Sequence, residues 1–153
     1  MTFIPCDLEI FLSILSKLEF STAPLWGAMT AQRMVEHLTD SINMSLAKGD
    51  FQLEVPEDRI SKLVLFLDSD KPMAQNIQVS FAKPDEPLRN ADLDDAIDEF
   101  VITWVDFEEH YSYNPGFIAL HPFYGNLNFE QWKRLHSKHF THHFRQFNLI
   151  NES

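Results

Sequence analysis

A chain of 153 residues suffices for one domain with a substantial core, and its 44% apolar content is ordinary for a globular protein. Fourteen Phe against four Gly favour a helical domain over a turn-rich β fold. A net charge of −11, with Lys and Arg scattered along the chain, argues against nucleic acid or an anionic membrane surface as partner.

The single cysteine, Cys6, excludes an intrachain disulfide and a thiolate-rich zinc site. It reads as a small apolar residue near a helix start. The opening "MTFIPCDLEI" lacks a basic stretch leading into a long apolar run, and no apolar run approaches the roughly 20 residues of a membrane span. A cytoplasmic protein is expected.

The first helix is predicted over about Asp7 to Leu18, from Ile10, Phe11, Ile14, Leu15 and Leu18 at helical spacing. Pro24 and Gly27 break the chain. Thr30 is the expected N-cap of a second helix, about Ala31 to Lys48, which Gly49 should end. A third, shorter helix follows Pro56, about Glu57 to Leu67. Residues 69–90 then form an aperiodic connection, long enough to be either a lid over a binding site or a plain surface crossover.

The fourth helix is predicted over about Leu93 to Tyr111. Asp92, Asp94, Asp95 and Asp98 crowd its positive end and read as solvated helix-start charges rather than a metal site. His110, at its other end, fits a favourable C-terminal charge. "NPGFIALHPFYGNLNFEQW" reads as a loop. Asn128 and Gln131 have capping-box spacing, which starts the last helix at about Phe129 and carries it to Asn148. Long helices joined by a crossover, without a convincing run of strands, predict an all-α single domain over 1–153, a four-helix bundle with a short extra helix.

The last helix holds four histidines in eight residues: His136, His139, His142 and His143. On a helical wheel Phe129, Trp132, His136, His143, Phe147 and Ile150 share an arc of roughly 60°, with His139 at its edge. Arg134, Lys138, Thr141 and Arg145 lie opposite, and His142 points off the flank as a surface residue. Imidazoles on a buried face need a hydrogen-bond partner or a ligand. His139 and His143, at i and i+4, can offer two nitrogens to one metal ion. The same spacing equally fits two core-edge histidines bonded to carbonyls, water or carboxylates. His37 sits at the margin of the second helix's apolar stripe. His121 precedes Pro122 in a loop and reads as an ordinary loop residue that can reach a pocket mouth. Trp26, Phe123 and Tyr124, also in loops, can form a contact patch.

"PLWGAMTAQRMVEHLTD" together with "HPFYGNLNFEQWKRLHSKHFTHHFRQFNLI" resembles the DinB/YfiT-like superfamily of metal-dependent enzymes, in a subgroup that is a domain of unknown function. The likeness runs from about Pro24 to Ile150 and is most specific in the two histidine segments. It implies an up-down-down-up four-helix bundle with a long crossover. It also implies a metal held by one histidine of the second helix and an HxxxH pair of the last, whose second member stands three residues before a glutamine. That register selects His37, His139 and His143, followed by Gln146. The usual small residue before the glutamine is Arg145 here. Three imidazoles suit Zn²⁺ or Ni²⁺ first and Fe²⁺ or Mn²⁺ as alternatives. Relatives of this kind include thiol-dependent S-transferases and an isomerase that uses a thiol cofactor. The implied partner is therefore a small-molecule substrate, a low-molecular-weight thiol among the candidates, with S-transfer or hydrolysis as the reaction. His136, Asp40 and Gln146 are candidates to orient ligands or move protons, His136 first, with His142 and His121 behind them. The opposing possibility is a non-catalytic metal-binding or protein-interaction bundle. Bundles of this kind often pair through helix faces, so a homodimer is among the expected assemblies.

Overall fold

Each long helix begins where a short polar side chain takes up its orphan N–H groups. In the computed structural model, which describes residues 2–151, Asp7 Oδ1 accepts from the amides of Glu9 and Ile10 and opens α1 (Leu8–Leu15). Thr30 Oγ1 accepts from Arg33 N at 3.1 Å and opens α2 (Ala31–Ser45). One 3-10 turn, Glu57–Arg59, leads into α3 (Ile60–Asp68). Asp92 caps α4 (Leu93–Tyr113) through the amide of Asp95. Asn128 and Gln131 form the reciprocal capping box of α5 (Phe129–Gln146).

The helix ends depart from expectation. Helix α1 stops at Leu15, α2 at Ser45 and α5 at Gln146, each two or three residues short of its predicted end. In α2 and α5 the cause is a left-handed residue that turns the chain back. Ala47 has φ 57° and Asn148 φ 56°. Lys48 N then bonds Asn43 O at 3.0 Å, and Leu149 N bonds Phe144 O at 2.8 Å. Both are Schellman closures, so Ala47, not Gly49, ends α2.

The segment read as a loop before α5 contains a hairpin. Strand β1 (Ala119–His121) pairs antiparallel with β2 (Gly125–Leu127), with His121 opposite Gly125. The all-α expectation becomes a mostly helical fold with a small two-stranded hairpin. Strands of three residues are too short to show a period of two, and their breakers read as loop. Gly125 is required here: its φ is 75°, and a Cβ would stand 3.1 Å from Ile60 Cδ1.

Helix α2 lies chiefly along α4 and also meets α5 and β1; α3 packs on α5 and α1 on α4. The centre is aromatic. Phe11 meets Trp104 and Phe140 edge to face at 5.0 and 5.2 Å, and Phe100 completes the cluster. Burying each such ring stabilises the fold by roughly 1.5–3 kcal/mol.

Helix α5 is buried on nearly every side. Lys138, Thr141 and Arg145 do point away from the histidine face, yet none is exposed. The N-terminal residues and α3 cover them. Thr141 Oγ1 accepts from Ile4 N at 2.9 Å, and Arg145 donates to the carbonyl of Thr2. Lys138 Nζ donates to the carbonyls of Ser69 and Lys71 at 2.7 and 2.6 Å, between the rings of Phe3 and Phe66. Arg134 alone of this group stays outside, paired with Asp68. Among the described residues no helix is long and apolar enough to cross a membrane.

The 69–90 connection is pinned at both ends. Lys138 holds its start. At its end the buried Glu36 carboxylate accepts from the amides of Arg89 and Asn90 at 3.0 and 3.1 Å, and Arg89 pairs with Asp40 and Glu99. Between these anchors Met73, Ile77, Val79 and Phe81 lie against a cavity. Of the two readings of this segment, the structure has the one that covers a cavity.

Candidate metal centre

The Thr30 cap sets the phase of α2 so that His37 faces α5. The capping box of α5 does the same for His139 and His143, one turn apart. His37 Nε2 stands 2.8 Å from His139 Nε2, which stands 3.0 Å from His143 Nε2. The ligand atoms of these three residues all lie within 4.8 Å of one another.

Burial keeps these rings neutral. It pushes His37 from 6.5 down to about 4, helped by the Arg33 guanidinium and opposed by Asp40. His139 and His143 are pushed well below 6.5, by burial first and then by the neighbouring imidazoles. The neutral ring is the form that ligates a metal.

Gln146 assigns one tautomer. Its Nε2 donates to Trp26 O at 3.0 Å, so its Oε1 is the atom 2.7 Å from His143 Nδ1. Nδ1 must then carry the proton, and His143 Nε2 turns its lone pair toward the cluster. Gly27 permits this contact. Its φ is 78°, and a Cβ there would stand 3.0 Å from Gln146 Nε2.

The donor set fits a metal ion. Lone pairs brought this close repel unless a proton or a cation stands among them, and among the described residues no carboxylate joins the cluster. Tetrahedral bonds of about 2.0–2.1 Å to nitrogen require nitrogens about 3.3 Å apart. The observed 2.8 and 3.0 Å are a few tenths shorter, a gap that small side-chain rotations close.

The cluster opens on a cavity of about 800 Å³, within the range that holds a small molecule. Its walls are largely apolar, from Met44, Phe51, Phe66 and Met73 to Phe81 and Trp132. Among the described residues Asp40 and Lys62 are the only Asp, Glu, Lys or Arg side chains in the lining. Sequence reasoning missed Phe51, Met73 and Phe81, because segments without periodicity give no signal of which side chain turns inward.

Asp40, one turn beyond His37, borders the cavity with its carboxylate 2.8 Å from both Arg33 and Arg89. His136 also borders it but is fully buried. Its ring is stacked between Trp132 and Phe140, and Nε2 lies 3.1 Å from Ser45 Oγ. Its Nδ1 has no partner among the described residues, and burial pushes its pKa down to about 3.

His142 was expected at the surface but lies in the cavity wall, between the rings of Trp26 and His143. The wheel could not show that Trp26 folds back over it. Trp26, Phe123 and Tyr124 likewise are not an outward patch: all three are partly buried and line the cavity. His121 is buried at the end of β1, not an ordinary loop residue, and also lines the cavity. His110 packs on Phe117 at 4.3 Å, with Nε2 unpartnered among the described residues.

A protein family described as "Protein of unknown function (DUF1569)" matches residues 8–149. No curated protein and no solved structure matches the chain.

Proposed function

The chain belongs to the DUF1569 family, and on that premise we propose that it is a metal-dependent enzyme acting on a small molecule, with His37, His139 and His143 as the metal ligands. The observation that carries this is an open donor set: three neutral imidazoles converge from two helices and face a cavity of about 800 Å³. A structural zinc site is usually closed by four protein ligands; a catalytic one keeps a position free. We further place the family within the DinB/YfiT-like superfamily and its helices in an up-down-down-up four-helix bundle, on the resemblance of the two histidine segments.

When bound, a Zn²⁺ or Ni²⁺ ion, with Fe²⁺ or Mn²⁺ as alternatives, supplies Lewis acidity that makes a thiol or a water nucleophilic near neutral pH. Transfer to or from sulfur and hydrolysis share that requirement. The chain's own residues prepare the site. Gln146 holds the His143 tautomer. Asp40 offsets the effect of Arg33 on His37. The 69–90 segment supplies Met73, Val79 and Phe81 to the cavity wall. His136, tied to Ser45, acts as packing beneath the ligands, and His142 is the imidazole better placed to move a proton at the cavity wall.

The second reading is a bundle that holds a metal, or a partner, without catalysis. A cavity of drug-sized volume directly over the ligands favours the enzyme. The deciding experiment is metal content by inductively coupled plasma mass spectrometry on protein purified without a polyhistidine tag. Near-stoichiometric Zn, Ni, Fe or Mn, absent from a His139→Ala, His143→Ala double variant, is the expected result. A wild-type protein without metal even after reconstitution would overturn the assignment.

A further inference from the structure

His121 carries a polar edge that no protein group uses. Its Nδ1 accepts the amide proton of Phe123 at 3.0 Å, a bond made within the hairpin turn. An imidazole that accepts at Nδ1 and is neutral must carry its proton on Nε2. Burial keeps the ring neutral, lowering its pKa to about 3. The residue is 8% exposed, lines the cavity, and has no partner for Nε2 among the described residues. Unlike the sealed Nδ1 of His136, this nitrogen keeps some accessible surface, so a molecule in the cavity can accept from it.

Aromatic rings surround it. Tyr124 lies at 4.7 Å between centroids, Phe81 at 5.6 Å, Trp132 at 5.8 Å and Phe123 at 5.9 Å. They come from the hairpin, the crossover and α5, so the collar exists only in the assembled fold. Around His121 itself no described Lys or Arg faces the collar: Lys62, the one such residue in the cavity lining among the described residues, is exposed, while Asp40 is already matched by Arg33 and Arg89. Met29, Met44 and Met73 add soft surface that adapts to an apolar body.

We propose that His121 is a substrate-binding residue, whose Nε2–H holds an acceptor oxygen of a largely apolar molecule lodged against the aromatic collar. The proposal rests on the cavity being the substrate site of the metal centre, and it names the substrate class: a carbonyl compound with an aromatic or similarly flat apolar body.

The test uses two probes of similar size: acetophenone and ethylbenzene. Binding is measured on the full-length protein as purified, with ¹⁵N-labelled histidine followed by NMR. Acetophenone is expected to bind about fivefold tighter than ethylbenzene, the ratio one hydrogen bond confers, and to move the His121 Nε2 resonance. His121→Asn retains an acceptor for the Phe123 amide and lacks the reach of Nε2, so it should bind acetophenone no better than ethylbenzene. His121→Gln, whose amide reaches as far as Nε2, should restore the preference. The proposal is overturned if the wild type shows no ketone preference, if that preference survives in the Asn variant, or if no probe moves His121. Metal content is scored on the same sample. Protein that holds no ion yet prefers the ketone loses only the metal assignment; protein that holds the ion without the preference loses only this one.

Discussion

Gln146 Oε1 lies 2.7 Å from His143 Nδ1 while its amide nitrogen holds the Trp26 carbonyl, so one side chain ties a metal-ligand candidate to the loop before α2. Partners of this kind orient ligands and raise their basicity. Gln146→Leu should weaken metal binding about 10- to 100-fold with helix content unchanged. Competition against a chelating dye measures this. Unaltered affinity would remove Gln146 from the centre.

Glu36 holds the end of the crossover. Burial alone would raise its carboxyl, but the amides of Arg89 and Asn90 and the side chains of Gln32 and Asn90 outweigh it and hold the group below 4.5. Glu36→Leu strands those donors and removes an acid beside buried Arg33. The expected loss is about 3 kcal/mol, the low end for a broken buried pair because Asp40 still faces Arg33. Urea denaturation measures the loss, and hydrogen exchange should quicken at the amides of Arg89 and Asn90. Wild-type protection at those two amides would disprove the anchor.

Acid should destabilise the fold through its buried histidines. His121 and His136 titrate near 3 in the folded chain, against 6.5 when unfolded, with burial the main cause in each. Between those values the unfolded chain binds more protons. Stability therefore rises with pH across the window and is lost as pH falls from about 6.5 toward 3. The slope is at most about 1.4 kcal/mol per pH unit for each group. Melting temperatures from pH 7 to pH 4 should fall, and His136→Gln, which cannot titrate, should fall less steeply. Equal slopes would exclude His136 as a contributor.

Lys138 should behave as an interior residue. Lys138→Leu leaves the Ser69 and Lys71 carbonyls without their donor, at about 1–3 kcal/mol each. The wheel alone, which puts Lys138 opposite the histidines, anticipates almost no effect. Thermal or urea unfolding separates the two outcomes.

The caps at Thr30 and Asn128 were legible because capping is local: a short oxygen-bearing side chain precedes a periodic run; Asp7 was instead counted within its helix and Asp92 among solvated helix-start charges, and both prove to be caps. His139 and His143 were legible as a pair for the same reason, since one helix sets their spacing. The third partner was not. Nothing local ties His37 to α5, and it entered through the likeness of two distant segments to a family. The burial of Lys138 and Thr141 was not legible because a wheel shows one helix, not the N-terminal residues laid over its far side. The hairpin was hidden by the brevity of its strands, and the inward turn of Met73 and Phe81 by a segment without rhythm.

The spacing of the histidine cluster has a further bearing on how the protein is made. His37 precedes His139, the next member, by 102 positions. A ribosome adding about 5–20 residues per second takes roughly 5–20 s to cover that interval. Until it does, α2 displays a single imidazole, which has no more hold on a metal than any surface histidine. The three imidazoles stand together only once α5 has been made and has docked. A candidate centre split in this way is assembled by folding and not by any one segment as it emerges.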